Sequence, residues 1–114
     1  METSLIEMKK ILFLCSQNKL RSPTAEAIFC DVDGWDVRSA GLNSGAQVYI
    51  SSEDVEWAEY IFVMEQRHNK KLKQQFREHI KDQKIICLGI PDNYKFMDER
   101  LIEILNNKIP NYLN

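Results

Sequence analysis

Cys15, Arg21 and Ser22 form the cluster in this chain whose residue types and spacing suggest covalent chemistry. Residues 9–24 read KKILFLCSQNKLRSPT. Four apolar residues, Ile11 to Leu14, run into Cys15, and Arg21 and Ser22 follow after the intervening Ser16, Gln17, Asn18, Lys19 and Leu20. The pattern predicts a buried strand entering a tight loop and then a helix, with Pro23 suited to the first helical turn. A thiol at the end of such a strand faces the N-terminus of the next helix, where unpaired backbone N–H groups create a positive potential that favours thiolate. The same amides, wrapped about one point, make an anion nest, and the planar fork of Arg21 suits two phosphate oxygens. Such a loop would hold a phosphoryl group over a nucleophilic sulfur.

The elements that must position this loop follow from the rest of the chain. The first strand, 10–14, is apolar on both faces and so belongs in the middle of a parallel sheet. A helix is predicted over about 22–31, with Ser22 as N-cap, Pro23 as its first residue and Ala25, Ile28 and Phe29 on its buried face. DVDG at 31–34 ends it, and Trp35 to Ala40 alternates apolar and polar residues as a second strand, with Gly41 opening a loop. Ser51 caps a short helix in SSEDVEWAE, where Asp54 completes a capping box. Tyr60 to Met64 is the third strand. A helix over about 66–80 puts Leu72, Phe76 and Ile80 on one face and leaves the other basic. From Arg67 to Lys84 there are seven Lys or Arg against Glu78 and Asp82. That side, with His68 and His79, reads as solvated; steering of an anionic substrate or partner is the alternative. Lys84 to Ile90 is the fourth strand, PDNYKF a turn-rich loop at its end, and Met97 to Lys108 the closing helix. Leu101, Ile102, Ile104 and Leu105 form its buried stripe, and Asp98 reads as its cap. Strands alternating with helices predict an α/β layered domain with a parallel sheet and right-handed crossovers. Ligands in such sheets bind beyond the carboxyl ends of the strands, the edge shared by the Cys15 loop and the 91–96 loop.

With 114 residues, 44% of them apolar, the chain suits a single domain over 1–114 that buries roughly two-thirds of its unfolded surface. Residues 1–8 carry little signal, although Leu5 and Ile6 could pack on a sheet edge. A net charge of −2 gives no general pull toward nucleic acid or an acidic membrane, and neither is expected as a partner. The run Ile11 to Leu14 is too short for an export signal or a membrane span, so a cytoplasmic location is the default expectation. Three widely spaced cysteines, Cys15, Cys30 and Cys87, fit neither a disulfide framework nor a zinc site. Cys30 and Cys87 read as reduced packing residues.

ILFLCSQNKLRSPTAEAIF, followed by WDVRSAG, YIFVME and IPDNY, resembles the low-molecular-weight protein tyrosine phosphatases over most of the stretch from residue 10 to about 105. The resemblance implies a three-layer α/β/α fold with a four-stranded parallel sheet in the order 2-1-3-4. It also implies hydrolysis of phosphotyrosine or a related phosphomonoester, on a protein or a small molecule, with no metal or other cofactor. Carried over position by position, Cys15 is the nucleophile, Arg21 the phosphate clamp and Asp92 the general acid. Asn18 holds the loop's shape, Ser22 stabilises the thiolate, and Ser16, Gln17, Lys19, Leu20 and Tyr94 complete the substrate-binding set. The chemistry is coherent in its own right. A thiolate attacks phosphorus in line to give a cysteinyl-phosphate, loop amides and Arg21 stabilise the equatorial oxygens, and a carboxylic acid on a facing loop protonates the leaving group before activating water. Thiolate and protonated acid are needed together, so a bell-shaped rate profile on the acid side of neutrality is expected.

The chain also departs from the family pattern. Gln17 stands where the family has Gly, which puts a side chain and strain into the loop. Leu20 replaces the second Cys of many members, so Cys15 lacks that disulfide partner. Asn93 replaces the Pro of Asp-Pro-Tyr, and Tyr94 stands alone where two tyrosines are common. The segment between WDVRSAG and YIFVME is shorter, which implies loss of a helix after the second strand and of part of the pocket wall, to which Tyr49, Tyr94 and Phe96 could contribute. Two alternatives remain: an arsenate reductase, which would need resolving cysteines near Cys15, and a phosphate-binding or partner-binding module without catalysis.

Overall fold

Three apolar runs and one alternating stretch become four parallel strands, β1 Lys9–Cys15, β2 Trp35–Gly41, β3 Tyr60–Val63 and β4 Lys84–Cys87, in the order β2-β1-β3-β4. The structure is a computed structural model and describes residues 8–113; the expectation for Leu5 and Ile6 lies outside them. The sheet is all parallel, as expected for strands separated by helices. Cys15 pairs with Gly41 and Leu14 with Val63, so the ends of β1, β2 and β3 lie at one edge.

Alternation along β1 divides the core into two layers. Ile11, Phe13 and Cys15 face one side, where they pack with Ala25 and Phe29 of α1 (Arg21–Phe29) and Leu101 and Leu105 of α4 (Glu99–Lys108). Leu12 and Leu14 face the other, against Val55 of α2 (Ser52–Trp57) and Leu72 of α3 (Gln66–Phe76). This is the α/β/α sandwich. Phe13 stacks between Phe29 and Phe62, at centroid separations of 6.0 and 5.6 Å, which fixes α1 against the centre of the sheet. Full burial of each such side chain contributes roughly 1.5–3 kcal/mol.

Some boundaries differ from the sequence reading. Helix α1 begins at Arg21 and ends at Phe29, and Ser22 is not its N-cap; Leu20 occupies that position without a side-chain bond. The Ser22 hydroxyl is turned instead toward Cys15, 2.9 Å away. The helix predicted over 66–80 stops at Phe76 and tightens to a 3₁₀ turn, Arg77–His79, while Phe76 and Ile80 still pack on the core. Ladder pairing of β4 ends at Cys87, though Leu88 and Ile90 donate backbone bonds to Val63 and Met64 and carry the chain on beside β3. Helix α4 starts at Glu99 rather than Met97, with Asp98 as the cap expected of it. The box of Ser51 and Asp54 forms as expected and starts α2. Cys30 is exposed, its thiol bonded to the Ala27 carbonyl, so it is not a packing residue; Cys87 does pack, partly buried, against the core.

Candidate active site

The loop between β1 and α1 is shaped from behind by residues 42–50. The amides of Leu42, Asn43 and Gln47 donate to the carbonyls of Cys15, Ser16 and Gln17 at 3.0 Å each. In a trans peptide the N–H points opposite to the carbonyl, so the amides of Ser16, Gln17 and Asn18 are directed away from the 42–50 segment. Three successive N–H groups held this way are what an anion nest requires. The close approach depends on Gly41, where a Cβ would lie 2.7 Å from Ser16 O and 2.9 Å from Gln17 C. Gln17 does not have a left-handed backbone; the residue that does is Asn18, at φ 55°, a conformation that Asn tolerates better than most. The strain expected at Gln17 is therefore absent.

Asn18 is buried and holds the loop through its side chain. Its Nδ2 donates to Ser22 Oγ and to Ser39 Oγ, both at 3.0 Å. Ser39 in turn donates to the Glu26 carboxylate. With Ser22 Oγ accepting from Asn18, its own hydrogen is left to point at Cys15 Sγ. Ser39 and Glu26 have no adjacent sequence signal. They join the site because Ser39 pairs with Phe13 across the β1–β2 ladder.

Arg21 is 2% exposed. Its Nη1 donates to Glu65 Oε1 and to the Ile90 carbonyl, both at 2.8 Å. Asp92 Oδ1 lies 3.8 Å from Arg21 Nε. The Arg21 guanidinium beside Glu65 holds that carboxyl below its ordinary range, with Arg67 acting the same way. Glu65 is the partner that pattern reading passes over. An acid immediately after the third apolar run, at the same sheet edge as Cys15, is the available signal.

His68, expected to be solvated, is buried. Its Nδ1 accepts from the Glu65 amide at 3.0 Å and its Nε2 contacts Ser16 Oγ at 2.9 Å. Burial, reinforced by Arg21 and Arg67, lowers it to about 4. His79 lies at the surface, as expected, where it pairs with Glu56 at 2.6 Å.

Cys15, Ser16, Gln17, Lys19, Leu20, Arg21 and Asp92 line one small cavity of about 100 Å³. Asn18 and Ser22 stand behind it as buried supports. Tyr94 is not among the lining residues; it packs, partly buried, against the core. Tyr49 and Phe96 are half exposed and line none of it. The 91–96 loop is tied down at both ends, by Arg21 on Ile90 O and by the Met97 amide on Thr24 Oγ1 at 2.9 Å, with Met97 itself at φ 61°. A larger cavity of about 810 Å³, lined by Glu56, Tyr60, His79 and Lys84 among others, lies at the opposite end of the strands. It lacks the cysteine and the anion nest.

No family model and no curated protein matches this sequence. Solved structures do. The chain superposes on a low-molecular-weight protein tyrosine phosphatase from Streptococcus pyogenes with a TM-score of 0.77 at 22% identity, covering 93% of this chain and 91% of that one. The chain has the low-molecular-weight protein tyrosine phosphatase fold. That fold is shared by a protein tyrosine phosphatase from Entamoeba histolytica, with a TM-score of 0.75, 25% identity and coverage of 92% and 93%. It is shared also by the YwlE arginine phosphatase from Geobacillus stearothermophilus, with a TM-score of 0.73, 21% identity and coverage of 92% and 93%. In this phosphatase fold the 42–50 segment is the support of the anion loop, and α2 is the helix that remains between β2 and β3.

Proposed function

We propose that the protein is a cysteine-dependent phosphatase acting on phosphomonoesters through a cysteinyl-phosphate. The observation that carries this reading is the convergence of Cys15, Arg21 and Asp92 on one small cavity whose other lining is the anion loop. In the first step Cys15 Sγ attacks phosphorus as thiolate, with Ser22 Oγ–H donating to the sulfur. Loop amides and the Arg21 guanidinium, held in place by Glu65 and Ile90 O, stabilise the equatorial oxygens as the S–P bond forms and the ester P–O bond breaks. Asp92 protonates the departing oxygen, then takes a proton from the water that splits the thiophosphate and returns Cys15 as thiolate. Phosphate leaves. No step calls for a metal.

The substrate class is a phosphorylated protein or a small phosphomonoester. Of the proteins that share this fold, some are described as tyrosine phosphatases and one as an arginine phosphatase, so a phosphotyrosine peptide, an ester, is to be compared with a phosphoarginine peptide, whose P–N bond lies outside the proposed class. Arsenate reduction is poorly supported. Cys87 lies two strands from Cys15 and packs in the opposite core layer, and Cys30 is exposed at the far end of α1, so neither is placed to resolve a Cys15 adduct.

Hydrolysis of para-nitrophenyl phosphate, with chelator present, tests the proposal. Wild type should turn over at mildly acidic pH and Cys15→Ser should be inactive, and with phenyl phosphate, whose leaving group is much poorer, Asp92→Ala should lose on the order of 10²–10⁴-fold. No turnover by wild type would leave a phosphate-binding module. An unchanged rate of Asp92→Ala on phenyl phosphate would remove Asp92 from the acid role.

A further inference from the structure

The scheme above leaves one buried titratable side chain beside the pocket without a task. His68 is 2% exposed, on the first turn of α3, and touches the anion loop at Ser16. Its proton can be placed from the hydrogen bonds alone. Nδ1 accepts from the Glu65 amide at 3.0 Å, so Nδ1 carries no hydrogen, and a neutral ring then bears its proton on Nε2. The 2.9 Å contact is therefore an Nε2–H donated to Ser16 Oγ. A serine oxygen that accepts there must direct its own hydrogen elsewhere. Among the described residues Ser16 Oγ has no second hydrogen-bond partner, and Ser16 lines the cavity with Cys15 and Arg21. The Ser16 backbone has little freedom to alter this, since its carbonyl is held by the Asn43 amide and hemmed in by Gly41.

We propose that His68 is a positioning residue for the anion pocket: by donating from Nε2 to Ser16 Oγ, it turns the Ser16 hydroxyl hydrogen toward a bound phosphoryl group, adding a side-chain donor to the loop amides and Arg21. The same ring accepts from the amide of Glu65, the residue that anchors Arg21. One imidazole thus touches the anion loop at Ser16 and the backbone of the residue whose carboxylate holds Arg21. The low affinity of this ring for a second proton, about 4, keeps it neutral over the range in which a phosphatase of this kind would work. The inference deepens the phosphatase reading, but its binding arm does not depend on turnover.

The test is protection of Cys15 from iodoacetate by inorganic phosphate, measured on the full chain. Ser16→Ala should raise the phosphate concentration needed by about tenfold, the value of one hydrogen bond to an anion. His68→Asn keeps an acceptor for the Glu65 amide but cannot reach Ser16, and should give the same loss. The double variant should be no worse than either alone, and His68→Gln, with a longer amide able to donate to Ser16, should recover most of the protection. Losses that multiply in the double variant, or an unchanged Ser16→Ala, would overturn the proposal. Should His68→Asn fail to fold, the Nε2–H proton resonance of wild type decides: it should shift on addition of phosphate and not do so in Ser16→Ala, and a resonance indifferent to phosphate sinks the idea. If wild type binds phosphate with these couplings yet hydrolyses nothing, the phosphatase reading fails and the dyad stands. Turnover without the couplings would leave the phosphatase standing and the dyad refuted.

Discussion

Glu65 Oε1 sits 2.8 Å from Arg21 Nη1, so the guanidinium that would clamp a phosphate is anchored by a carboxylate from the neighbouring strand's end. Arg67 shares the same oxygen at 2.8 Å. Glu65→Ala strands a buried cation and should cost roughly 3–5 kcal/mol of stability, whereas Glu65→Gln keeps an acceptor and should cost about 1–3 kcal/mol. Both should weaken phosphate binding. Urea unfolding with and without phosphate separates the two effects.

Stability should fall as the solution is acidified from about neutral. A histidine in the unfolded chain takes up its proton near 6.5, while His68 in the fold does so at about 4. Between those values the unfolded chain binds more protons, so unfolding becomes easier as pH drops, by about 3 kcal/mol in all. Glu65, lowered chiefly by its bond to Arg21, adds a loss further into acid, as the pH falls from its ordinary 4.5 through its folded value. Urea midpoints between pH 7 and pH 4 check this. The slope between about 6.5 and 4 should flatten in His68→Asn, which has no group left to titrate there.

Gly41→Ala should be severe. Its Cβ would meet Ala46 Cβ at 2.5 Å and Ser16 O at 2.7 Å, and the second of these is backbone of the anion loop. Overpacking of this kind costs about 1–3 kcal/mol. Because relief must come from moving the loop, phosphate protection of Cys15 should be lost even where the fold survives, as alkylation kinetics beside a thermal melt would show.

Gln17→Gly, restoring the residue of the resembled family, should destabilise by roughly 0.5–1 kcal/mol without raising turnover, since the left-handed residue of this loop is Asn18. A rise in melting temperature would contradict the reading of an unstrained Gln17.

The sheet is legible because its signals are local. Ile11 to Leu14 and Tyr60 to Val63 are apolar runs, Trp35 to Ala40 alternates apolar and polar residues, and strands form at each. The anion loop is equally open to reading, since Cys15, Asn18, Arg21 and Ser22 lie within eight residues. What escapes depends on neighbours that the chain supplies from elsewhere. Ser22 reads as a cap because a cap is decided by the next few residues, whereas its actual partners, Cys15 and Asn18, precede it. His68 reads as solvated because Arg67, Lys70 and Lys71 surround it in sequence, yet it stands three residues after Glu65 at the start of α3, where a side chain reaches back over the helix N-terminus. The Glu65 and His68 box is the signal available. Ser39 and Glu26 require the register of β1 against β2.

Arg21 has a final consequence for how variants are interpreted. A guanidinium 2% exposed, bonded to the Ile90 carbonyl, joins α1 to the segment after β4 and so spans three pieces of chain. It is a keystone as well as the proposed phosphate clamp. Removing it would loosen the arch that carries Asp92, and an inactive Arg21 variant would report collapse and lost chemistry together. Cys15→Ser changes a single atom of the cavity wall, and is the substitution from which a silent enzyme can be read as a chemical result.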